Sequence, residues 1–153
     1  MTNLKKWFKM NLTRNNLSIT CLIFAFIGFL DSTYLTILHY ENVFPPCTVI
    51  HGCETVLNSQ YSVILGVPIS LLGSLFYLLI MFFALAVLLD KRKIFAHGLF
   101  LAAFSGLFVS AVLFFVQFFI LKSFCQYCLL SEAITLVIFI NCSLLYSKFL
   151  RTK

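Results

Sequence analysis

Four long hydrophobic runs dominate the chain, and short polar segments separate them. Each run is 21 or 22 residues long, and the second and third contain no Asp, Glu, Lys or Arg. At about 1.5 Å of rise per residue, a helix of this length crosses roughly 30 Å of hydrocarbon. Each run is therefore predicted to be a transmembrane helix. The predicted spans are residues 17–38, 69–89, 99–120 and 125–146.

The composition supports a membrane location for the whole chain. Hydrophobic residues make up 61% of the 153 residues and charged residues only 10%, whereas soluble domains are about half apolar and a quarter charged. Too few polar residues remain to cover a surface in water, so lipid must cover much of it. We predict an all-α integral membrane protein, a single four-helix transmembrane bundle over residues 1–153.

The basic residues predict the orientation of this bundle. Ten of the eleven Lys and Arg lie in the segments that precede span one, join spans two and three, or follow span four, and the exception is Lys122. The positive-inside rule then places both termini in the cytoplasm, with an uncleaved first span in the plasma (inner) membrane. This topology accounts for the net charge of +6, so we expect no nucleic-acid partner.

Four cysteines fall on the side opposite the termini. Cys47 and Cys53 lie in the long connection 39–68, in which a short helix is predicted between Cys53 and Tyr61, and Cys125 and Cys128 form a C-x-x-C at the start of span four. Such a pair is easily reduced, and a thiolate at a helix N-terminus is stabilised by the helix dipole. A redox role is predicted for these four residues.

Two other interpretations of the four outer cysteines remain open, a disulfide-stapled scaffold and a zinc site. The outer four could form two structural disulfides or one bridge from the connection to span four, in a non-catalytic scaffold. With His51 they could bind zinc, although the spacing is unlike familiar zinc sites, and we expect no metal. The remaining Cys21 and Cys142 lie toward the cytoplasmic ends of spans one and four and are expected to be small buried hydrophobic residues.

These motifs resemble the vitamin K epoxide reductase family, in its prokaryotic disulfide-forming branch without a fused thioredoxin domain. The resemblance covers roughly residues 27–132. It is carried by Cys47-x5-Cys53, Val56, Ser59, Tyr61-Ser62, Gly66-Val67-Pro68 and Cys125-x-x-Cys128, with Gly28-Phe-Leu-Asp-Ser-Thr-Tyr34-Leu35 in span one and Gly73 with Tyr77 in span two.

The resemblance implies a role for each cysteine pair. Cys125 and Cys128 would be the active-site pair, with Cys128 facing a quinone, either ubiquinone or menaquinone, as the electron acceptor. Cys47 and Cys53 would exchange with a separate thioredoxin-like protein of the DsbA kind. The extracytoplasmic connection and its short helix would then cap the quinone end of the bundle.

Two polar residues are candidate quinone contacts. The resemblance implies that Ser59 donates a hydrogen bond near a quinone carbonyl. Glu132 stands where the vertebrate vitamin K enzymes have a ring-contacting Tyr, one helical turn after Cys128, and it could instead be a first-turn carboxylate that complements the helix dipole. Thiol-driven reduction of vitamin K epoxide or quinone, which would use the same residues in the same direction, is the alternative to quinone-dependent thiol oxidation.

The predicted topology can be tested with fusions to a reporter that is active only outside the cytoplasm. The reporter should be active when fused near Asn58 and inactive when fused after Lys93 or Lys153. Reporter activity measured in cells gives the result, and the reverse pattern would place the four cysteines in a reducing compartment and contradict the oxidase hypothesis.

Overall fold

The computed structural model describes residues 2–47, 52–90 and 92–151. His51, Lys91 and Lys153 lie outside the described residues, and with them the sequence-based expectations for their side chains. The elements in chain order are α1 (Thr2–Glu41), α2 (Cys53–Leu57), β1 (Val63–Ile64), β2 (Val67–Pro68), α3 (Ile69–Leu89), α4 (Lys93–Phe115), a π-helix (Val116–Leu121) and α5 (Gln126–Arg151).

Four helices are long and apolar enough to cross a membrane, which confirms the predicted bundle. Three of them extend beyond the hydrophobic runs, because no Pro interrupts the residues at their ends and long basic side chains can extend from a span toward the interface. The spans are Arg14–Glu41, Ile69–Leu89, Lys93–Leu121 and Gln126–Leu150.

The helices form a closed ring in which α1 packs on α3 and α5, and α4 packs on the same two helices. Ring contacts show that α1 and α5 run antiparallel. The Tyr34 ring lies 5.8 Å from the Tyr127 ring at one end, and the Arg14 guanidinium lies 4.4 Å over the Phe149 ring at the other. The described ends of the chain therefore lie at one end of the bundle, and the connection between α1 and α3 lies at the opposite end.

Small residues contribute to the centre of the bundle, and many large aromatic residues face outward. Cys21, Ala25 and Ala103 are fully buried, whereas Phe82 is 60% exposed. An apolar exterior of this kind suits lipid, in which helices associate by close packing of small side chains. Cys21 and Cys142 are both buried with their sulfurs 3.4 Å apart, as expected for small side chains in the core.

The connection between α1 and α3 contains more structure than the sequence predicted. The short helix expected after Cys53 is present as α2, but a two-stranded antiparallel hairpin follows it, with β1 paired to β2. Its two turn residues, Leu65 and Gly66, both have positive φ angles of 53° and 81°. That geometry is typical of a tight hairpin turn, and Leu65 gave no sequence signal for it because leucine rarely adopts a positive φ.

Tyr77 contacts two other long helices near the end of the bundle that carries the four outer cysteines. It belongs to α3 and is 1% exposed, and its hydroxyl contacts the side-chain oxygens of Ser131 and Thr135 on α5 at 2.8 and 3.0 Å. Its ring reaches α5 by crossing α1 at Gly28, where an added Cβ would overlap the ring. The lack of a side chain at Gly28 therefore sets the spacing of α1, α3 and α5.

We expect Gly28→Ala to destabilise the bundle by about 1–3 kcal/mol, because the new methyl group would overlap a ring that is held at its far end. The matched control is Gly73→Ala, where the nearest atom to the new Cβ is Ser32 Cβ at an ordinary 3.4 Å. Thermal unfolding in detergent compares the two variants. An equal change in melting temperature for both would contradict the packing role of Gly28.

Candidate active site

The four outer cysteines form one cluster at the end of the bundle. Cys47 and Cys53 are joined by a disulfide, and Cys125 and Cys128 are free thiols. Cys53 and Cys125 are buried together with Val56, and Cys47 and Cys128 pack against this buried group. Two cysteine pairs that are 72 residues or more apart in sequence therefore meet in one buried patch.

Two sets of contacts hold the connection against the start of α5. The Pro46 carbonyl accepts hydrogen bonds from Gln126 Nε2 and the Tyr127 hydroxyl, both at 3.4 Å. Gly52 approaches the segment before α5 so closely that an added Cβ would lie 2.9 Å from the Phe124 carbonyl oxygen. Because these contacts lie on either side of Cys47 and next to Cys53, they bring the disulfide to the C-x-x-C.

Cys125 lies immediately before α5, outside the membrane-spanning segment, and is fully buried. A hydrogen bond with the Cys128 side chain lowers the pKa of the Cys125 thiol most strongly, and the backbone N–H groups of Cys128 and Tyr127 also lower it while burial opposes them. The Cys128 N–H lies 3.4 Å from Cys125 Sγ. The start of the helix thus favours a thiolate at Cys125, as thiol–disulfide exchange requires.

A cavity of about 810 Å³ lies beside the cysteine cluster and is lined by residues of the four long helices and of the connection. Its volume is within the range of small-molecule sites, roughly 300–1,000 Å³. Cys128 lines this cavity, while its neighbour Cys125 is packed with Cys53. The C-x-x-C therefore faces the connection with one sulfur and the cavity with the other. Apolar residues from α3 and α4 also line the cavity, among them Phe76, Phe108, Val109 and Val112.

Both candidate quinone contacts line the cavity. Ser59 follows α2 in the connection and Glu132 lies in α5, one turn after Cys128. In this structure the Ser59 hydroxyl donates to the Val56 carbonyl at 2.7 Å, so it must rotate to donate to a ligand. The quinone contacts of both residues stay predictions.

Gln117 is a site residue that the sequence reasoning missed. It lies in the π-helix and is 3% exposed, and it contacts both Glu132 and the backbone N–H of Cys125. A π-helical turn within a helix is often found at functional sites. The sequence signal was present, because Gln117 is the only Asn, Gln, Asp or Glu in residues 93–121.

Asp31 is a charged residue within span one that the sequence did not predict to be a site residue. It lines the cavity on α1, and its Oδ2 is buried without a hydrogen-bond partner among the described residues. An ionisable residue within a membrane span is a functional candidate by default because of the cost of placing it there.

The described residues contain no group of three or more His, Cys, Asp or Glu side chains placed to hold a metal ion, and His51 lies outside them. The site instead combines two cysteine pairs, an apolar cavity and two cavity carboxyl groups. This arrangement can exchange thiols for disulfides and bring a free thiol to a hydrophobic ligand.

Comparison with known proteins identifies the family. The model of the vitamin K epoxide reductase family matches residues 19–142, and the chain belongs to this family. The comparison with curated protein sequences gave no match. Membership makes the chain an oxidoreductase of the membrane thiol–disulfide class, a class that in general uses quinone as an electron carrier together with thioredoxin-like partners.

Proposed function

We propose that the protein is a quinone-dependent thiol oxidase of the prokaryotic disulfide-forming branch. It reoxidises a separate thioredoxin-like partner outside the cytoplasm and passes the electrons to ubiquinone or menaquinone in the plasma membrane. The observation that carries this proposal is the cysteine cluster, in which a disulfide on the connection meets a dithiol whose second sulfur, that of Cys128, lines the cavity.

Burial indicates the order of the first exchange. Cys47 is partly exposed whereas Cys53 is 2% exposed. A thiolate of the partner can therefore attack Cys47, which forms a mixed disulfide and releases Cys53 as the thiol nearest the helix pair. The second thiol of the partner then resolves the mixed disulfide, and the partner leaves oxidised while Cys47 and Cys53 are left as a dithiol.

The second exchange passes electrons from the connection to the helix. When Cys125 and Cys128 are oxidised, Cys53 attacks the Cys125 sulfur, with which it is packed, and releases Cys128. Cys47 then closes the disulfide with Cys53 and frees Cys125. The result is the state of the present structure, with a disulfide in the connection and two free thiols at the helix.

The third step reduces the quinone. Cys128 lines the cavity and transfers electrons to a ring bound there, and the pair returns to a disulfide. Ser59 and Glu132 are the proposed polar contacts of the quinone carbonyls, because both line the same cavity as Cys128. Apolar side chains around the rest of the cavity suit a quinone tail.

Reduction of vitamin K epoxide or quinone by thiols is the second candidate, since it would use the same cysteines with electrons flowing in the same direction. A scaffold stapled by disulfides is less well supported, because Cys125 and Cys128 are free thiols in the structure.

Variants of the individual cysteines test the proposed roles. Cys125→Ser and Cys128→Ser should abolish reduction of quinone, because each removes one thiol of the pair that gives its two electrons to the quinone. Cys47→Ser and Cys53→Ser should block turnover with a protein dithiol but retain part of the activity with a small dithiol that reaches Cys125 directly. Quinone absorbance measures each rate.

The matched controls are Cys21→Ala and Cys142→Ala, at the opposite end of the bundle, which should cost little activity. Equal loss of activity in all six variants would contradict the assignment. Complementation of a strain that lacks its disulfide-regenerating oxidase tests the same variants in cells.

Ser59→Ala should slow quinone reduction by roughly 5- to 150-fold, which corresponds to the loss of about 1–3 kcal/mol of transition-state stabilisation by one hydrogen bond. Exchange among the cysteines should persist. Steady-state kinetics with varied quinone make the measurement, with Ser147→Ala as a control because its hydroxyl donates to Leu144 O at the far end of α5. An unchanged rate in Ser59→Ala, together with a large loss in Glu132→Gln, would move the polar contact to α5.

A further inference from the structure

The side-chain amide of Gln117 hydrogen-bonds to Cys125 with its oxygen and to Glu132 with its nitrogen. Its Oε1 accepts a hydrogen bond from the Cys125 backbone N–H at 3.0 Å, and its Nε2 donates to Glu132 Oε1 at 2.8 Å. Because the Gln117 side chain is almost fully buried, water hardly competes for either bond. One rigid amide thus fixes Glu132 relative to the start of α5.

Hydrogen-bonding chemistry allows only one orientation of this amide. A backbone N–H can only donate, so the Gln117 atom that faces Cys125 must be the oxygen, and the NH₂ group must face Glu132. The NH₂ group can also only donate, so Glu132 Oε1 must accept. A proton on the Glu132 carboxyl group is therefore favoured on its other oxygen, Oε2.

Glu132 Oε2 is the oxygen left for a ligand. It is buried and makes no hydrogen bond to any residue that the structure describes. A buried polar atom without a partner costs about 1–3 kcal/mol, and a ligand that accepts its proton would remove that cost. Glu132 lines the cavity together with Cys128, which lies four positions before it on the same helix face.

We propose that Gln117 is a positioning residue that presents the Oε2 proton of Glu132 to a quinone carbonyl, and that Glu132 protonates this oxygen as the cysteines reduce the ring. The inference rests on the proposed quinone reduction and adds the source of a proton. The local structure explains the geometry, since the wider turn of the π-helix (Val116–Leu121) lies at the point where the chain turns toward Cys125.

The step balances in atoms and electrons. The S–H bonds of Cys125 and Cys128 break, an S–S bond forms between them, and two electrons pass to the quinone. The Oε2–H bond of Glu132 breaks as an O–H bond forms on one carbonyl. One thiol proton restores the acid, and the other thiol proton goes to the second carbonyl, so that one disulfide and one quinol result.

The test measures one turnover of the full-length protein, reduced at the helix pair, with a ubiquinone that carries one isoprene unit. Glu132→Gln keeps the shape and the ability to bind a carbonyl but carries no transferable proton. The maximal rate constant should therefore fall roughly 10²- to 10⁴-fold, with little change in the quinone concentration that gives half of it. The solvent deuterium isotope effect of the wild type should be altered in this variant.

A double-variant cycle separates positioning from general damage. Gln117→Leu should slow the same step, about 10-fold or more, and should add no further loss in the Glu132→Gln background, because its effect acts through Glu132. If the two losses multiply, Gln117 acts independently and the inference is wrong. Gln117→Met, which keeps the side-chain length, repeats the cycle should the leucine variant fold poorly.

Two controls complete the design. Ferricyanide accepts electrons without a proton, so it should oxidise the dithiol of Glu132→Gln at the wild-type rate, and a slowed reaction would mean that the thiols themselves are damaged and would overturn the inference. Asn141→Leu removes an amide that donates to Val137 O within α5 and should leave all rates unchanged.

The outcomes distinguish this inference from the proposed function. A wild-type protein that reacts with ferricyanide but never with ubiquinone would overturn the proposed function, and the inference with it. If the wild type reduces ubiquinone and Glu132→Gln reduces it at the same rate, the inference is wrong while the proposed function stands.

Discussion

The packing of Cys53 against Cys125 is the contact on which the rest of the site depends. A thiol can attack a disulfide only at contact distance, yet one pair must meet water and the other must meet an apolar cavity. Burying one cysteine of each pair in a shared patch satisfies both requirements, with Cys47 left toward solvent and Cys128 toward the cavity. The close approach of Gly52 and the hydrogen bonds to the Pro46 carbonyl hold this contact.

Lipid imposes a second constraint, because polar groups inside the bundle must find partners there. The hydroxyl of Tyr77 finds Ser131 and Thr135, and the amide of Gln117 finds Cys125 and Glu132. The buried carboxyl oxygen of Glu132 is an exception among the described residues, and it lies at the cavity. The buried Oδ2 of Asp31 also has no partner among the described residues and also lies at the cavity, whereas Arg14 Nε and Ser143 Oγ, the other two such atoms, belong to residues that do not line it.

The two candidate quinone contacts show how far sequence reasoning reached at the site. Ser59 and Glu132 were identified by resemblance and by spacing from Cys128, and both line the cavity. The role of Gln117 was missed because its hydrogen-bond partners lie 8 and 15 residues away in the sequence, across a π-helical turn that no helical periodicity predicts. The hairpin was missed for a related reason, since Leu65 adopts a backbone conformation that the residue type disfavours.

The sequence by itself determined the four spans, their antiparallel order and the end of the bundle that carries the cysteines. The spans follow from hydrophobic length, because a helix is the only single-segment solution for a backbone in lipid. Their order and the cysteine end follow from the succession of spans and connections along the chain. Only the tertiary structure decided which cysteine faces the cavity, which one is buried beside its partner pair, and how Gln117 orients Glu132. Those properties depend on distances between elements that are far apart in the chain, and such distances arise from packing, which no local pattern encodes.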